Sequence, residues 1–239
     1  MKASLADLGD GVFAMDVAGA LTDDVSALSE AVATLPSAAR CVVLFGGRDV
    51  FNSGATRAGL TDAERPITDY VARLPRLMLE FPVPTIAAMA GHALGGGLLL
   101  GLWCDLAVFA EDRLYGANFM ALGFTPGMGA TIALEDAFGA FLAREMLYTG
   151  RLLTGAELRQ RGAPLPHVLP RAEVEARART LALDIASVPA ASVQLLRRTL
   201  AARRRVRLEA ALLDEAHMHK QIFADPETRA RIRDLLPED

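Results

Sequence analysis

The chain has 239 residues, of which 52% are hydrophobic, and its formal net charge at pH 7 is −4. This length and composition suit one large domain with a sizeable core, or a domain with an appendage, and the mildly negative charge argues against general nucleic-acid binding. No unbroken apolar run is as long as the roughly 18 residues of a membrane span, and the acidic start does not resemble a signal peptide.

Strand-like and helical runs alternate through the first half of the chain. In chain order, the predicted elements are a strand over 12–17, a helix over 23–35, a strand over 41–45, a helix over 68–81, and strands over 85–89 and 106–109 separated by a glycine-rich helix. Continuous apolar strands that alternate with helices are typical of a parallel sheet covered by helices. The pattern therefore predicts an α/β fold.

From residue 137 onward the pattern is nearly all helical. The predicted helices cover residues 140–147, 154–161, 171–187 and 191–223, and prolines separate them. A proline ends or begins a helix because it lacks an amide hydrogen. A boundary near Pro189 therefore divides the chain into a core region, 1–189, and a helical C-terminal region, 190–239.

Two glycine turns are the most informative feature of the sequence. Gly54 and Ala55 lie in the first turn, after the strand-like run 41–45, and three consecutive glycines around Gly96 end an apolar run where a helix begins. Such junctions present backbone N–H groups that suit a developing negative charge. Together the two turns could supply the two donors of an oxyanion hole.

Four motifs in a fixed order resemble the crotonase (enoyl-CoA hydratase/isomerase) superfamily. They are Gly54-Ala-Thr56, Gly91-His-Ala-Leu-Gly-Gly-Gly97, Cys104-Asp-Leu106 and Gly123-Phe-Thr-Pro-Gly-Met-Gly129. The resemblance runs from about residue 12 to residue 170. It implies a crotonase-like spiral of ββα units with a helical C-terminal trimerisation region, a homotrimer or hexamer, and an acyl-thioester substrate. The carbonyl of that substrate would be held by the N–H groups of Ala55 and Gly96.

The sequence departs from the family at the two positions where its hydratases carry glutamates. These positions are Leu99 and Phe119. Neither side chain can accept a proton, so ordinary hydration is not expected. An oxyanion hole with an apolar wall still suits the loss of carbon dioxide from a carboxylate vinylogous to a thioester, because the dienolate is stabilised at its oxygen. Alternatively, both residues are core replacements in an inactive protein.

Residues 115–131 and 217–223 resemble the decarboxylating enzymes of polyketide β-branching cassettes, a subfamily of the crotonases. The resemblance implies a cofactor-independent carboxy-lyase that converts a 3-methylglutaconyl group into a 3-methylcrotonyl group. The acyl group would be carried on an acyl carrier protein or on CoA. The alternatives are a dehydratase or isomerase of the same pathway and a non-catalytic homologue that binds the acyl carrier.

The resemblance assigns proton delivery to His219 in the C-terminal helix. Leu208, Leu212 and His219 fall near one stripe of that helix, which predicts that His219 faces inward. His217 lies two residues away, roughly 200° around a helix. It is therefore expected on the surface.

The residues that would hold the substrate carboxylate are less well defined. The subfamily has a lysine after the first turn, but residues 63–70 contain none. Arg65 is the candidate replacement, with Arg57 and Tyr70 as alternatives, and a surface position for Arg65 stays open. His92 could line the pocket, although a hydrogen-bonded structural role is the stronger interpretation.

No metal, membrane or nucleic-acid partner is predicted. No cluster of His, Cys or carboxylate residues has metal-ligand spacing. Cys41 and Cys104 both lie in apolar runs, so two buried free thiols are expected. Free thiols favour a location of the protein in the reducing cytoplasm. The arginine run from Arg197 to Arg207 could receive the phosphopantetheine phosphate or the acidic face of a carrier protein, or it could be a solvated helix face.

Overall fold

A computed structural model describes residues 4–18, 25–61 and 67–235. The strands are β1 (Leu5–Asp7), β2 (Val12–Asp16), β3 (Cys41–Phe45), β4 (Val50–Asn52), β5 (Thr85–Met89), β6 (His92–Leu94), β7 (Leu106–Ala110), β8 (Leu114–Gly116), β9 (Leu153–Thr154) and β10 (Val168–Leu169). The helices are α1 (Ser26–Ala33), α2 (Arg57–Thr61), α3 (Ile67–Glu80), α4 (Gly96–Leu102), α5 (Ala130–Phe138), α6 (Ala140–Thr149), α7 (Gly155–Gln160), α8 (Arg171–Ser187), α9 (Ala190–Ile222) and α10 (Pro226–Leu235).

From β3 to β8, successive strands alternate between two sheets. A six-stranded sheet has the order β1-β2-β3-β5-β7-β10, and a four-stranded sheet has the order β4-β6-β8-β9. In the larger sheet β2, β3, β5, β7 and β10 are parallel, and β1 pairs antiparallel with β2 at one edge. Each of the pairs β3–β4, β5–β6 and β7–β8 is followed by a helix. The predicted parallel sheet and the spiral of ββα units are confirmed.

The larger sheet is buried on both faces. Val43 and Ile86 face a cluster that includes Val174 of α8, whereas Val42 and Leu44 belong to the main core on the opposite face. Side chains of a strand point alternately to its two faces, so burial of both faces requires every position to be apolar. This is the reason for the continuous apolar runs in the sequence.

Short elements are the main difference from the predicted ones. The prediction contained no β4, β6 or β8, each of three residues, and no β9 or β10, each of two. It also lacked α5 and α10. Strands this short carry almost no periodic signal, and pairing with their neighbours defines them. The predicted helix over 23–35 is observed as Ser26–Ala33, and its first two residues lie outside the described ranges.

The long helix α9 begins at Ala190, directly after Pro189, as the proline predicted. Leu208 and Leu212 of α9 and Ile232 of α10 nevertheless belong to the same hydrophobic cluster as the sheets. The C-terminal helices therefore share the core of the spiral. Among the described helices, none combines the length and the apolar character that crossing a membrane requires.

Cys41 and Cys104 are both buried and carry free thiols. Burial raises the pKa of each thiol to about 12. Thiols of such high pKa are poor nucleophiles near neutral pH. Both residues therefore serve as small core side chains.

Candidate active site

The first glycine turn is shaped by Asn52 at the end of β4. Asn52 Nδ2 donates to the Val17 carbonyl at 2.8 Å, and its Oδ1 accepts from the Gly54 amide at 2.8 Å. Gly54 has a φ of +80°, in the left-handed region that favours glycine. The turn places Ala55 two residues before the start of α2.

The second glycine turn joins β6 to α4. Gly95 has a φ of +52°, and its amide donates to the Gly116 carbonyl at 2.8 Å. A Cβ at Gly97 would lie 2.0 Å from the Asn52 carbonyl oxygen, so no larger residue fits there. Helix α4 therefore begins at Gly96, whose amide has no acceptor within the helix.

The two turns are in direct contact. A Cβ at Gly54 would lie 2.7 Å from Gly96 N, and a Cβ at Gly96 would lie 3.4 Å from Gly54 Cα. Within the described ranges, neither the Ala55 amide nor the Gly96 amide donates to a protein acceptor. The fold thus brings together the two turns that carry the predicted oxyanion donors. The catalytic role of these amides stays a prediction.

Leu99 and Phe119 belong to the apolar core around the second turn. Leu99 lies in the first turn of α4 and is fully buried, and Phe119 is nearly so. A Cβ at Gly95 would lie 3.4 Å from Phe119 Cε1, which places that ring beside the start of α4. Neither side chain offers a proton acceptor to a water molecule.

A series of ring contacts connects Phe119 with His219. The ring centroids of Phe119 and Phe124 are 5.6 Å apart, and those of Phe124 and Phe223 are 5.4 Å apart. Phe223 then meets His219 edge to face at 5.5 Å. The histidine ring therefore borders the same apolar region as the second glycine turn.

The segment Gly127–Gly129 lies between that turn and His219. Met128 has a φ of +63°, which is unusual for a residue with a side chain, and its Sδ lies 3.1 Å from the Cβ position of Gly96. A Cβ at Gly127 would lie 2.5 Å from His219 Cε1. Gly127 and Met128 are adjacent, and adjacent Cα atoms are about 3.8 Å apart. His219 and the predicted oxyanion donor Gly96 therefore contact the same short segment.

Two side chains from other parts of the chain, Trp103 and Glu215, hold this segment in place. Trp103 Nε1 donates to the Met128 carbonyl at 2.8 Å. Glu215 of α9 accepts from the Gly129 amide at 2.7 Å, and from the Thr131 amide at 3.1 Å and hydroxyl at 2.7 Å. Burial raises the pKa of Glu215, and these hydrogen bonds oppose the shift. The carboxylate of Glu215 is thus engaged in capping α5.

His219 lies on the inward face of α9, where the stripe of apolar residues predicted it, and is only 3% exposed. His217 is exposed, also as predicted. His219 Nε2–H donates to the Thr125 carbonyl at 2.8 Å, while Nδ1 has no hydrogen-bond partner among the described residues. Burial lowers the pKa of His219, and the bond to Thr125 opposes this. The ring of the free protein is therefore neutral at pH 7, with Nδ1 unprotonated.

No described contact brings the other predicted substrate-binding residues next to the glycine turns or His219. Arg65 lies outside the described residues, and so does the side chain of Tyr70. His92 lies in β6, where its Nδ1 accepts from the Leu114 amide at 2.9 Å. This bond joins β6 to β8 and agrees with the structural interpretation of His92, so a role for it in substrate binding stays a prediction.

The arginine run of α9 does not form one exposed basic face, because its members differ in burial. Arg198 and Arg203 are exposed, so binding of a phosphate or of a carrier protein by these members stays a prediction. Arg197 is buried and donates to the Met78 carbonyl at 2.9 Å, to the Phe81 carbonyl and to Asp105 at 3.1 Å. Arg204 donates to the last carbonyls of α4, and its guanidinium stacks on the Trp103 ring at 4.7 Å. Further along the run, Arg205 pairs with Glu80 and Arg207 with Asp136. Cations at the C-terminal ends of helices interact favourably with the helix dipole. Arg197 and Arg204 are therefore structural.

Sequence reasoning missed Thr125, Met128 and Glu215. For Met128 a signal was present, since a residue between two glycines often lies in a strained turn. For Glu215 the signal was a charged residue four positions before His219 on an apolar stripe. For Thr125 there was none, because only the folded chain places its carbonyl against the imidazole.

The groups that the site presents are two neighbouring main-chain amides, one buried imidazole and a set of apolar side chains. The described residues include no group of three His, Cys, Asp or Glu side chains that could hold a metal ion. The amides suit negative charge that develops on an oxygen, and the imidazole suits transfer of one proton. The arrangement fits reactions that pass through an enolate.

Comparisons with known proteins agree with this geometry. The family model described as enoyl-CoA hydratase/isomerase matches residues 18–234. The bacillaene synthase decarboxylase PksI of Bacillus subtilis is 38% identical over 216 residues, which span 90% of this chain and 86% of PksI.

Two solved structures are similar over nearly the whole chain. The ECH2 decarboxylase domain of CurF from Lyngbya majuscula has a TM-score of 0.83 and 32% identity, and the match covers 97% of this chain and 98% of that domain. A structure from a dehydratase/decarboxylase enzyme couple involved in polyketide β-branching has a TM-score of 0.90 and 31% identity, covering 99% of this chain and 100% of the other. The predicted resemblance to decarboxylating crotonases is confirmed, and the chain belongs to the enoyl-CoA hydratase/isomerase (crotonase) family.

Proposed function

We propose that this protein removes carbon dioxide from a 3-methylglutaconyl-type thioester on an acyl carrier protein, giving a 3-methylcrotonyl-type thioester in polyketide β-branching. The observation that carries the proposal is the contact between the Gly54 and Gly96 turns beside Leu99 and Phe119. The two turns that carry the predicted amide donors touch, and Leu99 and Phe119 occupy the positions where the hydratases of the family carry glutamates. The decarboxylase relatives support the same reaction.

The chemistry follows from where the negative charge goes. Breaking the bond to the carboxylate releases neutral carbon dioxide and moves the electron pair through the conjugated system to the thioester oxygen. The amides of Ala55 and Gly96 stabilise that dienolate oxygen, and each donor is commonly worth about 3 kcal/mol. The apolar side chains of Leu99 and Phe119 favour loss of the charged carboxylate, because they do not solvate it.

The dienolate then needs one proton on carbon, for which His219 is the candidate donor. Its Nε2–H is bound to Thr125, so a proton for transfer has to be carried on Nδ1. The imidazole of the free protein is neutral. A carboxylate bound close to Nδ1 favours the imidazolium form, and the substrate itself thereby promotes protonation of the acid.

Mass spectrometry of the acyl carrier protein tests the reaction directly. We expect the purified protein to lower the mass of a carrier loaded with 3-methylglutaconate by the mass of carbon dioxide. A carrier loaded with 3-methylcrotonate is the control and should not change. An unchanged substrate mass, with the correct carrier, would contradict the proposal.

The same assay separates the rival activities. Loss of water from a carrier loaded with 3-hydroxy-3-methylglutarate would identify a dehydratase. Tight carrier binding without turnover, insensitive to His219→Ala, would identify a non-catalytic homologue. No described contact places a glutamate where it could activate water, which disfavours the dehydratase.

We also propose that the protein assembles as a homotrimer or a pair of trimers. Phe141 and Tyr148 of α6 are 88% and 79% exposed, and Val206 and Leu213 of α9 are each 75% exposed. Apolar side chains this exposed favour burial against another protein surface. Light scattering of the purified protein tests the assembly, and a monomer at micromolar concentration would contradict it.

A further inference from the structure

Thr125 and His219 each bury a polar side-chain atom that has no hydrogen-bond partner. Among the described residues, Thr125 Oγ1 and His219 Nδ1 are both in this state, and the two residues are joined through Nε2 and the Thr125 carbonyl. The third such atom, Arg113 Nε, belongs to a side chain that is ion-paired with Asp112. Buried polar groups normally have a hydrogen-bond partner. Two such atoms without one, on two residues that are hydrogen-bonded to each other, indicate where a polar group of a ligand binds.

The chemistry of the two atoms limits what that group is. A hydroxyl donates one hydrogen bond, and an imidazole whose Nε2 donates to a carbonyl has a bare Nδ1 that becomes a second donor on protonation. Two donors, one on each residue of this hydrogen-bonded pair, match the two oxygens of a carboxylate. The half-buried ring of Phe223, edge-on to His219, presents an apolar surface to the imidazole.

Among the described side chains, no fixed charge competes at this position. The causes found there for the shift in the pKa of His219 are burial and the bond to Thr125. The described titratable side chains on the elements around it are otherwise engaged or exposed: Glu215 bonded to Gly129 and Thr131, exposed His217 and Lys220, and Arg76 of α3 paired with Glu209. A carboxylate held here meets a neutral hydroxyl and a titratable ring.

We propose that Thr125 is a further substrate-binding residue, whose hydroxyl holds the leaving carboxylate while its carbonyl fixes the ring of His219. This inference rests on the proposed decarboxylase function. It explains how the chain works without the lysine of the subfamily. A permanent cation would stabilise the ground-state carboxylate more than the transition state, in which that charge is leaving, whereas a hydroxyl holds it weakly.

The atoms and charges balance in one turnover. The carbon–carbon bond to the carboxylate breaks, its electrons move to the dienolate oxygen held by Ala55 and Gly96, and carbon dioxide leaves uncharged. The proton on His219 Nδ1 then moves to carbon, and the ring becomes neutral. One proton from solvent restores the imidazolium when the next carboxylate binds.

Thr125→Val and Thr125→Ser test the hydroxyl. Valine keeps the shape and removes the hydrogen bond, so kcat/KM for the 3-methylglutaconyl carrier should fall about tenfold to a hundredfold. Serine should restore most of the loss. The melting temperature of Thr125→Val should stay equal to that of the wild type or rise, because the variant buries no unpaired hydroxyl. Wild-type kcat/KM in Thr125→Val would overturn the inference and leave the proposed function intact.

A binding experiment tests the inference without turnover, and its pKa comparison uses the wild-type protein alone. The probes are 3-methylglutaryl and 3-methylbutanoyl thioesters of pantetheine, which are saturated and differ only in the carboxylate. NMR titration should show a higher pKa of His219 with the first probe than with the second, and Thr125→Val should weaken binding of the first alone. Equal pKa values with both probes would overturn the inference. A carboxylate preference without any decarboxylation would instead overturn the proposed function.

Discussion

The two halves of α9 bury polar side chains in opposite ways. In the first half, every nitrogen of the Arg197 guanidinium has an acceptor, from the end of α3 or from Asp105. In the second half, His219 uses one ring nitrogen and leaves the other unpaired. Complete pairing of a buried charge stabilises the fold, whereas an unpaired atom is available to a substrate. The arginines that make the first half of α9 conspicuous in the sequence include a structural one, whereas the side chain with an atom left for a substrate, His219, lies in the second half.

The largest expected effect is on catalysis, from His219→Gln. Loss of a general acid commonly lowers the rate by about 10²–10⁴-fold, so kcat should fall by at least a hundredfold. The matched control is His217→Gln, two residues away and exposed, which should keep wild-type kcat. Turnover is followed by the mass of the acyl carrier. Equal losses in both variants would show that the second half of α9 carries no specific catalytic group.

Arg197→Met tests the structural half. The substitution leaves three carbonyls without the Arg197 donor and removes the charged one of the donors to Asp105, which still accepts from Thr85. We expect the free energy of unfolding to fall by about 2–4 kcal/mol. Arg198→Met is the neighbouring control and should change it by less than about 0.5 kcal/mol, because Arg198 is exposed. Urea unfolding measures both. A loss of kcat in folded Arg197→Met, with an unchanged free energy of unfolding, would show that Arg197 acts in catalysis and not in stability.

Glu215→Gln tests the connection between α9 and α5. Glutamine keeps one acceptor oxygen, but its NH2 group cannot accept from a main-chain amide. Either the bond from Gly129 or the bonds from Thr131 are therefore lost, and we expect a loss of about 1–2 kcal/mol, as for a removed helix cap. Asp214→Asn alters the exposed neighbour and should be neutral. Urea unfolding again provides the measurement. An increase in stability would show that burial of the carboxylate outweighs its three hydrogen bonds.

The smallest expected effect is a pH dependence of stability caused by His219. Its pKa is lowered from 6.5 by burial, so below pH 6.5 the unfolded chain binds a proton that the folded chain does not. The stability contributed by the neutral ring is present above that pH and is lost as the pH falls. We therefore expect His219→Phe to lose less stability on acidification than the wild type or His217→Phe. Parallel thermal melting curves of all three proteins would contradict the assignment.

Much of the fold and part of the site could be predicted from the sequence. Strands buried on both faces, such as Cys41–Phe45 and Thr85–Met89, are continuous apolar runs, and the amphipathic stripe of α9 places His219 inward. Gly54 and Gly97 mark turns where only glycine permits the backbone to approach. The replacement of the hydratase acids by Leu99 and Phe119 also needed no coordinates, because the type of side chain alone decides whether it accepts a proton.

Only the tertiary structure decided which distant groups meet. The short strands β4, β6 and β8 exist because they pair with one another, and the contact between Gly54 and Gly96 depends on that pairing. The fate of each arginine, the cap formed by Glu215 and the bond from His219 to Thr125 likewise join positions that are dozens of residues apart in the chain. Local pattern encodes burial and turns, but hydrogen-bond partners and unpaired atoms are properties of the packed chain, so no reading of neighbouring residues could have supplied them.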